Sequence, residues 1–306
     1  MDAVPWIVVA AIAVLLAVAT DRFFRKKYMY FARIDTSGLD LEPSSVPAGD
    51  ISLNAVIARP RVSRGGDGGN VGSDGVSAVK LLPLVILEHS WGTSVDSPYI
   101  RQYISSLAIG LPCVVLACDL RGHGKSPGDR TDYKRARDDL KAIIEFGMAL
   151  PGVDMGRVGF MGFSTGGSLA LTEPYLDPRV KAIIAVAAAY NPLTNFLRRP
   201  RSLTSWLFKV LFTAGEARKR RAPGEDIGSL SPQHAIIPGD TARNRRVFLI
   251  HARDDRVVLV DQFEALRDAL GLAPDSCLLI EKGGHAFFGQ ELLVLGAALK
   301  FFNKFL

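Results

Sequence analysis

Three side chains in this sequence, Ser164, Asp255 and His285, are of the types that together perform nucleophilic acyl transfer. A serine hydroxyl is too weakly acidic to attack a carbonyl unaided, so a neutral imidazole must take its proton, and His285 can do that near pH 7. A carboxylate must then fix the imidazole tautomer and stabilise the imidazolium, the part assigned to Asp255. Its neighbour Asp254 could serve instead if the preceding strand ends differently. Ser164 lies in Gly162-Phe163-Ser164-Thr165-Gly166-Gly167, a G-x-S-x-G pattern that follows an apolar strand and opens a helix. Glycines two before and two after the serine let a strained turn pass close to its neighbours.

The elements that must hold these residues are legible from hydrophobic periodicity. Short apolar runs at Leu82 to Glu88, Pro112 to Asp119, Arg157 to Phe163, Val180 to Ala187, Arg246 to His251 and Ser276 to Glu281 read as buried strands. Helical periodicity is expected at Tyr99 to Ile109, Asp132 to Leu150, Thr165 to Glu173, Val260 to Leu270 and Gln290 to Phe305. In the second of these, Leu140, Ile143, Ile144 and Met148 form one apolar stripe. Strands alternating with helices over more than 200 residues imply an α/β fold, a mostly parallel sheet covered on both faces. Upstream, one short β-like run falls around Ile51 to Ala58.

In this order, nucleophile then acid then histidine, the sequence resembles the α/β-hydrolase fold superfamily. His251-Ala252-Arg253-Asp254-Asp255-Arg256-Val257-Val258 is similar to that family's strand-end H-G-x-x-D-x-x-V, and Lys282-Gly283-Gly284-His285 to its G-G-H loop. Asp119-Leu120-Arg121-Gly122-His123-Gly124-Lys125-Ser126 looks like its D-x-R-G-x-G-x-S, and His89-Ser90-Trp91-Gly92 like its oxyanion loop. The resemblance spans Leu82 to His285. It implies that the backbone amides of Trp91 and Thr165 receive the oxyanion. Two positions depart from the pattern: Ser90 and Ala252 stand where the family usually has Gly.

The remaining histidines are expected to be structural. His89, His123 and His251 lie in motif turns where an imidazole bonds backbone, and His234 has no nameable partner. No two histidines fall at i, i+4 on a helix, so neither a catalytic metal nor another cofactor is expected. Three cysteines, with no C-x-x-C pair, point to reduced thiols. Lys plus Arg is 37 against 31 for Asp plus Glu, and a net charge of +6 over 306 residues does not argue for nucleic acid. With 48% hydrophobic and 22% charged residues, disordered, collagen-like and coiled-coil classes are excluded.

Outside the body, Ala3 to Thr20 carries no charge and is followed by Asp21, Arg22, Arg25, Lys26 and Lys27. As a helix it would reach roughly 27 Å, close to a hydrocarbon core of about 30 Å. The expectation is a membrane anchor over residues 3–20, with the hydrolase domain over 32–306 on the cytoplasmic side by the positive-inside tendency. A cleaved signal peptide ending at Ala17-Val18-Ala19 is the competing reading. Residues 63–78 read as a flexible Gly-rich loop; without G-K-[ST] it is no phosphate loop. The resemblance implies a cap inserted over the site, for which residues 191–238 are the candidate. Within them Leu203, Trp206, Leu207, Val210 and Leu211 make an apolar stripe flanked by Arg198, Arg199, Arg201 and Arg218-Lys219-Arg220-Arg221. The plain reading is a lid helix packed on the core with solvated charges on either side; the sharper one is a lid resting on anionic lipid, each basic residue adding about 1 kcal/mol.

The activity expected from all this is a membrane-anchored serine hydrolase cleaving acyl or lipid esters through an acyl-serine intermediate. An amidase, thioesterase or peptidase would use the same three residues. A catalytically silent membrane scaffold is the reading from a different class.

Overall fold

The computed structural model describes residues 36–61, 81–197, 227–244 and 246–306, together with Trp206 and Val210. The expected anchor (3–20), the Gly-rich loop (63–78), the basic clusters and most of the apolar stripe of the expected cap lie outside these residues.

Eight strands form one sheet in the order β1-β2-β4-β3-β5-β6-β7-β8. They are β1 (Leu39–Ala48), β2 (Ile51–Pro60), β3 (Leu82–Glu88), β4 (Val114–Cys118), β5 (Val153–Phe163), β6 (Val180–Val186), β7 (Val247–Ala252) and β8 (Cys277–Ile280). From β4 to β8 every neighbouring pair is parallel, while β1 pairs antiparallel with β2, and β2 with β4. The parallel strands are the expected ones because a strand covered on both faces must be apolar along its whole length. Strand β1 was not expected from sequence, since Pro43 and Pro47 interrupt it. Its edge position tolerates them, because an edge strand has donors that need no partner in the sheet. The hairpin turns through Gly49 at φ 60° and Asp50, and Ala48 pairs with Ile51.

Alternate side chains of each central strand feed two cores. Leu84 and Ile86 of β3 and Leu116 of β4 pack beneath α2 (Tyr133–Met148) and α7 (Val260–Leu270). Val85, Leu87, Val115 and Ala117 pack beneath α1 (Pro98–Gly110) and α8 (Glu291–Phe305). Leu84, Ile86 and Leu140 are wholly buried, so truncating any of them to Ala costs about 2–5 kcal/mol. Helix α2 begins on Asp132, whose carboxylate accepts from the Arg135 N–H at 3.1 Å. The helix expected from Thr165 to Glu173 is broken into α3 (Thr165–Ala170) and α4 (Glu173–Leu176). Pro174 supplies no N–H to continue the first helix and instead sits in the first turn of the second. Within the expected cap region the structure has α5 (Pro192–Leu197) and 3₁₀ turns at Ile227–Leu230 and Pro232–His234, and the short α6 (Thr241–Asn244) follows before β7. Trp206 and Val210 are helical and exposed. Among the described residues, no helix is long and apolar enough to cross a membrane.

The Asp119 to Ser126 motif is a brace between elements. Asp119 Oδ1 accepts from the Val95 N–H (2.7 Å), and Oδ2 from the Lys125 N–H (2.9 Å) and Asn54 Nδ2 (2.8 Å). A Cβ at Gly124 would stand 2.1 Å from Asp119 Oδ2, so the motif needs glycine there. Arg121 makes a two-pronged bond with Asp139 of α2, at 2.9 and 2.6 Å, both residues 4% exposed. Geometry of that kind makes an ion pair tolerable in a core.

Candidate active site

Strand β5 ends at Phe163, and the chain turns through Ser164 into α3. Ser164 has φ 53° and ψ −110°, a conformation that non-glycine residues adopt at a cost of about 1–3 kcal/mol. Close packing enforces it. A Cβ on Gly162 would lie 2.1 Å from the Gly166 carbonyl oxygen, and one on Gly166 would lie 2.6 Å from that of His89. The Ser164 N–H is held by the Val186 carbonyl of β6 at 2.7 Å. The hydroxyl is thereby lifted out of the sheet's end.

Asp255 follows β7 and is buried. Its Oδ1 accepts from the Val257 and Val258 N–H groups at 2.8 and 3.0 Å, and its Oδ2 faces His285 Nδ1 at 2.7 Å. His285 Nε2 lies 2.9 Å from Ser164 Oγ, so the three side chains form one continuous hydrogen-bonded chain. Burial opposes charge on His285, but the Asp255 carboxylate and its hydrogen bond outweigh it and hold the imidazole above its ordinary pKa. Burial likewise pushes the Asp255 carboxyl up, yet the charges of His285 and His251 with the attendant hydrogen bonds bring it below the usual carboxylate range.

Asp254, weighed from sequence as the alternative acid, faces elsewhere. Its Oδ1 accepts from the Gly284 N–H at 2.8 Å and so clamps the loop that carries His285. That loop turns through Gly283 (φ 154°) and Gly284 (φ 61°), and Phe288 N–H closes it on the Gly283 carbonyl at 2.9 Å. The Ala252 departure is accommodated, since the residue ends a strand with no positive φ.

On the other side of Ser164 stands the loop after β3. The Ser90 carbonyl accepts from His89 Nδ1 (2.7 Å), the Thr93 hydroxyl (2.8 Å) and the Thr93 N–H (3.2 Å). In a trans peptide the Trp91 N–H points opposite to that carbonyl, so these bonds fix its direction. Thr165 opens α3, where a first-turn N–H has no intrahelical partner. His89 is neutral: burial brings its pKa down to about 4, and Nε2 accepts from the Leu120 N–H at 2.9 Å. His251 is buried and lowered by burial, its Nε2 bonded to the Val258 carbonyl at 3.1 Å. His123 bonds the Arg121 carbonyl at 2.9 Å, and His234 meets the Gln233 side chain at 3.1 Å.

A cavity of about 110 Å³ reaches Ser164 and His285. Its walls include Ser90, Thr93, Tyr99, Tyr103, Phe163 and Glu291, none of which except Ser90 and Phe163 belongs to a motif. Sequence reading missed the others because Tyr99, Tyr103 and Glu291 sit in helices whose only signal is periodicity. Among the described residues, no group of three His, Cys, Asp or Glu side chains could hold a metal ion.

Residues 84–295 match the model of the family described as the alpha/beta hydrolase family. Over 113 residues the chain is 31% identical to Thiohydrolase apmlB of Arthrinium phaeospermum, covering 36% of each protein. It is 28% identical over 147 residues to Acyltransferase drtE of Aspergillus calidoustus, covering 46% of this chain and 41% of that protein. These matches thus span well under half the length of either relative. The structure of an esterase from Pyrococcus furiosus superposes with a TM-score of 0.59 over 89% of this chain and 94% of that one; at 18% identity, this is a likeness of fold alone. With its mostly parallel eight-stranded sheet and a match covering more than two thirds of its length, the chain belongs to the alpha/beta hydrolase family.

Proposed function

We propose that the protein is a serine hydrolase that cleaves carboxylic esters, with Ser164 as nucleophile, His285 as general base and acid, and Asp255 as the carboxylate that orients it. The observation that carries this reading is the unbroken chain from Asp255 through His285 to a serine strained into a half-buried turn beside a cavity. Ser164 Oγ adds to the ester carbonyl as its proton passes to His285 Nε2. The Trp91 and Thr165 N–H groups receive the negative charge that develops on the carbonyl oxygen. Collapse breaks the C–O bond, and the alcohol leaves with the proton from His285. Water, deprotonated by the same imidazole, then releases the acid from acyl-Ser164. Residues 3–20 anchor this body to a membrane with the hydrolase domain on the cytoplasmic side.

A second reading, transfer or hydrolysis of a thioester-borne acyl group, is favoured by the names of the two curated relatives. It uses the same acyl-serine and differs only in the leaving atom and the acceptor. A fluorophosphonate probe tests what both share. Wild type should be labelled, and Ser164→Ala should lose labelling and on the order of 10⁶-fold in kcat while keeping its fold. Labelling that survives the substitution would remove Ser164 from the mechanism.

A further inference from the structure

The cavity beside Ser164 combines aromatic rings, hydroxyls and one carboxylate in its lining. Its volume is about 110 Å³. Its floor is apolar: Phe163 meets Tyr99 edge-on at 5.8 Å and Tyr103 at 4.7 Å. One wall is a ring of hydroxyls, with Ser90 Oγ 2.8 Å from Tyr99 OH and 3.2 Å from Thr93 Oγ1, and Thr93 Oγ1 3.0 Å from Tyr99 OH.

The Thr93 hydroxyl donates to the Ser90 carbonyl at 2.8 Å, and in each contact among the three hydroxyls either oxygen can be the donor. Each hydroxyl has one proton and two acceptor lone pairs, so each can accept a hydrogen bond from a bound group. Ser90 stands where the resembled family usually has glycine, and its hydroxyl completes this wall. Glu291, the first residue of α8, also lines the cavity. Its charge reaches the Tyr103 hydroxyl, and among the described residues no Lys, Arg or His pairs with it. A cavity lined by aromatic rings, hydroxyls able to accept and a carboxylate that pairs with no described Lys, Arg or His complements a small cation with N–H donors.

We propose that this cavity binds a short acyl chain ending in a protonated primary amine, with Glu291 as its counter-charge and the Ser90–Thr93–Tyr99 ring as further acceptors. The proposal rests on acyl transfer through Ser164. Bound this way, the chain lies between Phe163 and the ring with its carbonyl at Ser164, and the ammonium meets Glu291.

The matched pair for the test is the β-alanyl and butanoyl esters of 4-methylumbelliferone, which differ only by an ammonium in place of a methyl group and release the same fluorophore. Comparing their kcat/KM ratio between proteins cancels the intrinsic difference in ester reactivity. Glu291→Gln should lower the β-alanyl to butanoyl ratio about tenfold, the size of one charge-assisted hydrogen bond. Glu291→Asp, which keeps the charge, should retain most of the ratio. A carboxylate that served only the N-terminus of α8 would change the melting temperature and leave the ratio alike in wild type and Glu291→Gln. That result, with Ser164 still labelled by fluorophosphonate, would overturn the cavity assignment alone. Wild type that is not labelled at all would overturn the acyl-transfer reading and this proposal with it.

Discussion

Replacing Asp255 by Asn tests the orienting role more sharply than deleting the side chain, because the surroundings dictate which way the new amide must face. Two backbone donors, the Val257 and Val258 N–H groups, point at Oδ1 from 2.8 and 3.0 Å. An Asn at this position must present its carbonyl oxygen to them, since the opposite orientation sets an NH₂ against two N–H donors in a buried site. The NH₂ is then forced toward His285 Nδ1, where Oδ2 now sits at 2.7 Å. His285 must accept there, so its one proton moves to Nε2 and is donated to Ser164 Oγ. An imidazole in that tautomer cannot take the serine proton. The expected loss is about 10⁴-fold in kcat, or about 5.5 kcal/mol of transition-state stabilisation. Asp254→Asn keeps a carbonyl oxygen for the Gly284 N–H and should cost no more than about tenfold. Initial rates on a chromogenic ester, with thermal melts to confirm folding, measure both. If Asp254→Asn proved the more damaging of the two, the orienting carboxylate would be Asp254 and the geometric argument would fail.

Three further outcomes are expected. Because Asp255 holds the His285 pKa above its ordinary value, kcat/KM should rise with pH through a limb above about 6.5 as the neutral imidazole forms; a limb below that value would refute the coupling. Glu88 is wholly buried, both its oxygens lack a hydrogen-bond partner among the described residues, and burial, with the Asp119 and Asp139 charges, raises its pKa well above the ordinary value. The folded state therefore keeps a proton that the unfolded chain releases above about pH 4.3, so stability should fall as pH rises from there, by up to about 1.4 kcal/mol per unit. Urea unfolding at pH 5 and 7 should show Glu88→Gln flattening that fall; identical slopes in wild type and variant would show that Glu88 is ionised in the fold. Finally, the full-length chain should stay with membranes through carbonate washing, whereas a soluble product beginning near Thr20 would identify a cleaved signal peptide.

The parts of the site that sequence reveals are those where the chain needs a special backbone. Ser164, Asp255 and His285 each follow a strand end, and two of the three are bracketed by glycines whose absence of Cβ is required by contacts or by positive φ. Such constraints leave a short, local signature. Nothing local marks the cavity wall. Tyr103 reads as one more apolar position beside Ile100, Ile104 and Leu107 in α1, and Glu291 as an ordinary first-turn acid of α8. Their meeting beside Ser164 depends on α1 and α8 packing on the same face of the sheet, a tertiary fact with no counterpart in spacing. Strand β1 was hidden for a different reason: its prolines contradict strand propensity, and only its place at the sheet's edge makes them harmless.

Three aspartates at strand ends show why residue type alone cannot assign roles here. Asp119 accepts from Val95, Lys125 and Asn54, so both of its oxygens are committed to holding loops. His89 Nε2 stands 3.9 Å from it, beyond hydrogen-bond reach, and is already occupied by the Leu120 N–H. Asp254 has one backbone donor, and that donor belongs to the loop bearing His285. Asp255 has two backbone donors, both on one oxygen, which leaves the other committed to His285. The same carboxylate is thus a brace, a clamp or an orienting group according to which donors surround it. An Asp can fix a tautomer only where the backbone saturates one oxygen and leaves the second facing a ring nitrogen. That condition, met at Asp255, turns the register of a single strand end into a choice of chemistry: a one-residue shift of the β7 terminus would give the ring nitrogen to Asp254 and leave His285 without its clamp.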